Sequence, residues 1–192
     1  ELTFISPAAD GHLPSIDALY VGGGFPEEHL RALSSNAGLR DDLKKHIADG
    51  LPVWAECGGL MYLSRGVRCG GETYPMVGAL PITVEQMQRP QGHGYVSALV
   101  DTANPFLAER TSLGGHEFHY SRILDGAGLR SVFDIRRGTG SLPGRDGLVV
   151  GNVLASYIHV HARGTPEWAV GVTERARQWK STKTRTRARF DL

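Results

Sequence analysis

The chain has 192 residues, 41% hydrophobic and 21% charged, with a formal net charge of +1. That length suits one domain with a sizeable core, and the balance is that of an ordinary soluble globular protein. Near-neutral charge gives no basis for nucleic acid or a membrane surface as partner, and no stretch is long and apolar enough to span a bilayer. Its two cysteines, Cys57 and Cys69, form neither a CxxC pair nor a zinc pattern. They read as thiols of a reducing cytoplasm and not as a secreted disulfide framework.

Residues Glu1–Pro7 alternate weakly and meet a loop. Ile16–Val21 is a short apolar run that stops at Gly22-Gly23-Gly24, as a buried parallel strand ending in a glycine loop does. Pro26, followed by Glu27 and Glu28, opens a helix, because proline fits the first turn and acids favour the positive end. Asn36 caps a second helix, with Leu39, Leu43 and Ile47 on one face and Gly50 as its stop. Leu51–Ala55 is the next strand. It runs into Glu56-Cys57-Gly58-Gly59, and Leu60 starts another helix.

The middle of the chain is strand-like over Gly78–Val84, Tyr95–Val100, His116–Ile123 and Val132–Ile135, with Cys69 in a loop over Gly66–Gly71. A late pair of strands covers Gly147–Val150 and Asn152–Ile158. Pro166 opens a last amphipathic helix through about Trp179. Residues 180–192 carry a basic run with few apolar side chains and are expected to be a mobile tail outside a domain of residues 1–179. Helices and strands in this order predict an α/β sandwich with a mixed sheet.

Four stretches can carry chemistry. Cys57 sits on a sharp strand-to-helix turn, which exposes a nucleophile and lowers its thiol pKa at the helix start. The glycines after it allow a tight turn and close approach of substrate, and the Gly58 N–H would face an oxyanion. A buried structural cysteine is the competing assignment. Gly22-Gly23-Gly24 would lie at the same sheet edge and could supply a second oxyanion donor, or be merely a tight loop; it lacks the Lys-Ser/Thr ending of a phosphate loop. His159 and His161 share one side of a strand by alternation, as a base with its orienter, as metal ligands or as surface residues. No third ligand stands nearby by spacing, so no metal is expected. His116-Glu117-Phe118-His119-Tyr120-Ser121 is polar and aromatic in strand context, either a site wall or a solvated edge.

Tyr20-Val-Gly-Gly-Gly-Phe-Pro-Glu27, Glu56-Cys-Gly-Gly-Leu-Met-Tyr-Leu63, Gly115-His-Glu-Phe-His-Tyr-Ser121 and Ala155-Ser-Tyr-Ile-His-Val-His161 resemble, in order, the glutaminase domain of cobyrinic acid a,c-diamide synthases. The resemblance spans roughly Phe4 to Trp168. It implies a flavodoxin-like, class I glutamine amidotransferase fold that begins here after the family's first strand and helix. It implies Cys57 as nucleophile, His159 as its base, and Gly24 and Gly58 as oxyanion donors. His161 stands where many class I glutaminases carry an orienting glutamate, and Met61 where many carry a substrate-holding glutamine. Gly23, Glu56, His116, His119, Tyr120 and Ser121 are the remaining candidates for contact with substrate.

Such domains hydrolyse glutamine and pass ammonia to an ATP-binding synthetase domain, which amidates the a and c acetate carboxylates of a corrin acceptor. By that resemblance this chain itself needs no cofactor, while ATP and Mg belong to the synthetase domain, in the same polypeptide or a separate chain. The glutaminase part does not choose the acceptor. Sirohydrochlorin or siroheme as acceptor, a free-standing cysteine hydrolase, and a catalytically silent binding module stay open as alternatives.

Overall fold

The structure is a computed structural model that describes residues 1–126 and 128–190, with side chains through residue 184. β1 (Leu19–Val21) and β2 (Val53–Glu56) pair in parallel. Between them run a 3-10 turn (Pro26–Glu28), α1 (Leu30–Ser35) and α2 (Ala37–Ala48). Asn36 caps α2, its side chain accepting from the Leu39 N–H at 3.5 Å. Gly50, at φ 104°, lets the chain leave the helix in a conformation that other residues avoid.

After β2 come α3 (Gly58–Leu63), β3 (Gly66–Cys69), β4 (Glu72–Pro75), β5 (Thr83–Gln86), β6 (Gly92–Val100), β7 (Ser112–His119) and β8 (Ser121–Ile123). Then follow β9 (Ser131–Arg137), β10 (Arg145–Val150), β11 (Val153–Ser156), β12 (His159–Val160) and α4 (Glu167–Phe190). Eight strands form one sheet in the order β1-β2-β11-β10-β9-β6-β7-β12, and four form a second, β4-β3-β5-β8. In the large sheet β1, β2 and β11 are parallel and the other pairings antiparallel. The mixed sheet expected from the sequence is therefore present.

Successive side chains on a strand point to opposite faces, and the central strands feed two cores. Val53 and Ala55 of β2, with Leu148, Val153 and Ala155, pack beneath α1, α2, α3 and the small sheet. Trp54, Val149 and Leu154 point the other way, against Phe106, Leu113, Phe133 and the Trp168 ring of α4. Among the described residues no helix is long and apolar enough to cross a membrane.

Several expectations need correction. The first strand begins at Leu19 and not Ile16, and residues 78–82 hold no strand ahead of β5. Cys69 lies on β3, in a hairpin with β4, and not in the loop expected over Gly66–Gly71. The run His116–Ile123 breaks at Tyr120, so that β7 stays in the large sheet while β8 joins the small one. The last helix continues past Trp179 to Phe190. Its basic residues are not simply solvated: Lys180 and Lys183 lie 3.6 and 3.0 Å from Asp17, and Lys183 Nζ donates to the Ile16 carbonyl at 2.9 Å. The expectation of a mobile tail otherwise concerns side chains 185–190 and residues 191–192, which lie outside the described residues.

Candidate active site

Cys57 follows β2 directly and adopts φ 47°, ψ −102°, a strained backbone for a residue with a side chain. Its N–H donates to the Ser156 carbonyl at 2.7 Å, and its carbonyl accepts from the Met61 N–H at 3.1 Å. The turn is thus pinned between β11 and α3. Glycine is required on its far side. A Cβ on Gly58 would stand 2.8 Å from the Gly24 carbonyl and 3.0 Å from the Gly24 nitrogen, and one on Gly59 would overlap the Val21 carbonyl. These contacts press the glycine loop after β1 against the start of α3, so Gly24 and Gly58 are neighbours.

The thiol is not the low-pKa group that a helix start suggested. Burial pushes Cys57 up to about 12, and the carboxylates of Glu27, Glu56 and Asp146 add to the rise, against a backbone hydrogen bond from Gly58 that favours the thiolate. Only 4% of Cys57 is exposed, and α3 is six residues long, too weak a dipole to offset desolvation and three acids. The thiol donates to the Phe118 carbonyl at 3.7 Å.

His159 begins β12, opposite His116 of β7, and the two rings stack at 4.7 Å and 7°. Gly23 closes the other side: a Cβ there would overlap the His159 ring and stand 2.7 Å from Nδ1. Burial lowers the His159 pKa, with His116 and His119 adding to the fall, so the imidazole is kept neutral and able to accept a proton.

The expected pairing of His159 with His161 is absent. Beyond Val160 the chain turns, with the Gly164 and Thr165 N–H groups on the His161 carbonyl, and strand alternation ends. His161 is exposed, and its Nδ1 accepts from the Arg163 N–H at 3.2 Å. The carboxylate near His159 is instead Glu56, whose Oε2 lies 4.0 Å from Nδ1. Glu56 is 2% exposed. Its Oε1 accepts from Trp54 Nε1 at 2.9 Å and the Val160 N–H at 3.4 Å, and its Oε2 from the Tyr20 hydroxyl at 3.0 Å. Burial raises its pKa against these bonds. Glu56 therefore faces the histidine strand and not a substrate.

A small cleft opens beside Cys57, lined by Gly24, Glu27, Met61, Gln86, His119 and Tyr120 among others. It holds about 230 Å³ of empty space including its open mouth. His119 and Ser121 reach it because the break at Tyr120 carries the chain from one sheet to the other. His119 Nδ1 contacts the Ser121 carbonyl at 2.8 Å and its ring stacks on Tyr157 at 3.7 Å; the Ser121 and Tyr157 hydroxyls lie 2.8 Å apart. Gly23 and His116 flank His159, and none of the three lines this cleft. Among the described residues no group of three or more His, Cys, Asp or Glu could hold a metal.

Residues 1–166 match the model of the CobB/CobQ-like glutamine amidotransferase domain. The chain belongs to this family. It is 40% identical over 171 residues to the cobyrinate a,c-diamide synthase of Methanothermobacter thermautotrophicus, covering 89% of this chain and 37% of that protein. To the protein of the same name from Archaeoglobus fulgidus it is 41% identical over 163 residues, covering 84% and 35%. The chain thus spans well under half the length of these relatives. Among solved structures, a glutamine amidotransferase superposes with TM-score 0.58 at 22% identity, covering 83% of this chain and 79% of that one. PurLQS from Thermotoga maritima gives 0.52 at 16%, covering 86% and 79%. At such identities these likenesses speak for the fold alone, a class I glutamine amidotransferase-like α/β fold.

Within this amidotransferase domain the sequence reading missed the supporting groups. Asp146, fully buried, accepts from the Gly147 and Tyr157 N–H groups at 2.8 and 3.1 Å and so fixes the chain just ahead of His159. Burial raises its pKa to about 6 despite these bonds and the nearby Ser141 and Ser156 side chains, which favour the carboxylate. Glu117 accepts from the Thr139 and Gly140 N–H groups at 2.6 and 3.0 Å, with His119 Nε2 at 3.8 Å. Burial opposes its ionisation, but the nearby His119 ring and the two N–H groups hold it down at about 2. Glu27 had been read only as a helix-opening acid, and Gln86 carried no signal.

Proposed function

We propose that this domain hydrolyses glutamine and supplies ammonia to a cobyrinic or hydrogenobyrinic acid a,c-diamide synthase. The observation that carries it is the strained Cys57 elbow at a small cleft, together with a histidine at the start of β12 that burial keeps neutral and a buried carboxylate 4.0 Å from it. Resting Cys57 is a protonated thiol. As substrate enters, His159 takes the thiol proton and the sulfur attacks the γ-carbonyl carbon of glutamine. Negative charge moves to the carbonyl oxygen, to which the Gly24 and Gly58 N–H groups would donate. Collapse expels the amine, which leaves as ammonia with the proton from His159. Water, deprotonated by the same histidine, then splits the γ-glutamyl thioester and returns Cys57 and glutamate.

Glu56 is the positioning residue for the imidazolium formed in these steps, in the place the sequence had given to His161. The two relatives named above are cobyrinate a,c-diamide synthases, which supports a tetrapyrrole carboxylate as the ammonia acceptor. ATP and Mg²⁺ belong, on this proposal, to a synthetase partner that activates that carboxylate, in the same polypeptide or another. The cleft beside Cys57 is too small for the macrocycle, which then binds on the partner. The test is glutamate release from glutamine by the chain joined to its synthetase partner, before and after Cys57→Ala. Turnover that survives the substitution contradicts the proposal.

A further inference from the structure

Two acceptors line the cleft beside Cys57, and no cationic side chain among the described residues pairs with either. Glu27, half-buried, has no Lys, Arg or His within ion-pair distance among the described residues; its carboxylate accepts from its own backbone N–H and, at Oε1, from Gln86 Nε2 at 3.3 Å. The other end of that amide, Gln86 Oε1, is buried without a hydrogen-bond partner among the described residues. A buried carbonyl oxygen left unpaired costs free energy, and a carboxylate beside it compounds the cost. Such a pair of acceptors calls for a ligand that brings several N–H donors and a positive charge. Glycine-loop geometry fixes one of them: Pro26 seats Glu27 in the turn right after Gly24, where the proposed oxyanion site lies.

We infer that Glu27 and Gln86 Oε1 form the receptor for the α-ammonium group of the substrate amino acid. The inference rests on the glutaminase proposal and names the residues that select glutamine from simple amides. The ammonium would hold one end of glutamine while Cys57 meets the γ-carbonyl at the other. It has a second consequence for the thiol. Glu27 is one of three carboxylates that disfavour the Cys57 thiolate, so neutralising it with a cation makes the nucleophile easier to form when substrate is present. The resting enzyme keeps a protonated thiol that is poorly reactive to other electrophiles.

The test uses the diazoketone analogue of L-glutamine, its counterpart lacking the α-amino group, and iodoacetamide. The rate of alkylation at Cys57 is followed by mass spectrometry for each reagent. The unaltered protein should react faster with the amine-bearing analogue by on the order of 10- to 100-fold, the worth of a charge-assisted hydrogen bond. Glu27→Gln should abolish that preference, Glu27→Asp should retain part of it, and Gln86→Met should reduce it. Circular dichroism checks the fold of each variant. Equal rates for the two analogues in the unaltered protein would overturn the receptor while leaving the glutamine site standing, and this comparison needs no variant to fold. An undiminished preference in folded Glu27→Gln would overturn it as well. Failure of both analogues to outpace iodoacetamide at Cys57 would remove the glutaminase proposal itself.

Discussion

Gly23→Ala should cripple catalysis without unfolding the domain. Gly23 does not have a positive φ, so alanine fits its backbone. The atoms nearest the added methyl all belong to the His159 ring, where it overlaps Cε1 and stands 2.7 Å from Nδ1 and 3.2 Å from Nε2. Restoring an ordinary contact of about 3.4 Å requires Nδ1 to withdraw by about 0.7 Å, and Cε1 by more. The stacked His116 ring, with its centroid 4.7 Å away, limits a simple retreat. Misplacing a catalytic group by about 1 Å costs on the order of 10²-fold in rate. Steady-state glutamine hydrolysis in the full-length context should therefore fall by about that factor. Gly22→Ala is the control, because its Cβ would meet the Tyr20 ring at an ordinary 3.4 Å. Gly23→Ala turnover within about twofold of the unaltered protein, with Gly22→Ala likewise unaffected, would refute the proposed role of His159 as the base.

His159→Ala should lose on the order of 10²-fold or more in glutamate release, as removal of a general base does, whereas His161→Ala should be mild; a dead His161→Ala with an active His159→Ala reverses the roles. Glu56→Gln should lower kcat more than it raises KM and shift the acid limb of the pH–rate profile, because the lost charge no longer steadies the imidazolium; an unchanged profile would make Glu56 merely structural. Glu117 is held well below its ordinary 4.5, so its contribution to stability is present above that pH and fades as pH falls toward about 2. Urea unfolding of Glu117→Gln should show a loss on the order of 2–3 kcal/mol at pH 7 that shrinks across that acid window. A loss that is the same at pH 7 and at pH 3 contradicts this assignment.

The elbow at Cys57 was legible in the sequence because its determinants are local: an apolar strand, one nucleophile and two glycines. β2, β10 and β11 were legible for a similar reason, as strands buried on both faces read as apolar runs. The β3–β4 hairpin was not. Arg68, Glu72 and Thr73 are exposed, and the hairpin is joined to the fold by pairing with β5 and by the Arg68–Glu85 ion pair, contacts made across distance in sequence. The role of Glu56 was hidden likewise, since Tyr20, Trp54, Val160 and His159 converge on it only after the sheet forms. Alternation puts His159 and His161 on one face only if the strand runs through both, and β12 ends at Val160. The helix beyond Trp179 continues without an apolar stripe to announce it, with Lys180 and Lys183 meeting Asp17.

The most direct test of the account is to trap the covalent intermediate. The chain joined to its synthetase partner is mixed with glutamine, quenched in acid during turnover, digested and read by mass spectrometry for a γ-glutamyl thioester. The adduct is expected on the peptide containing Cys57 and absent from that containing Cys69, which lies on β3 away from the cleft. A γ-glutamyl group on Cys69, or glutamate released with no dependence on Cys57, would contradict the account.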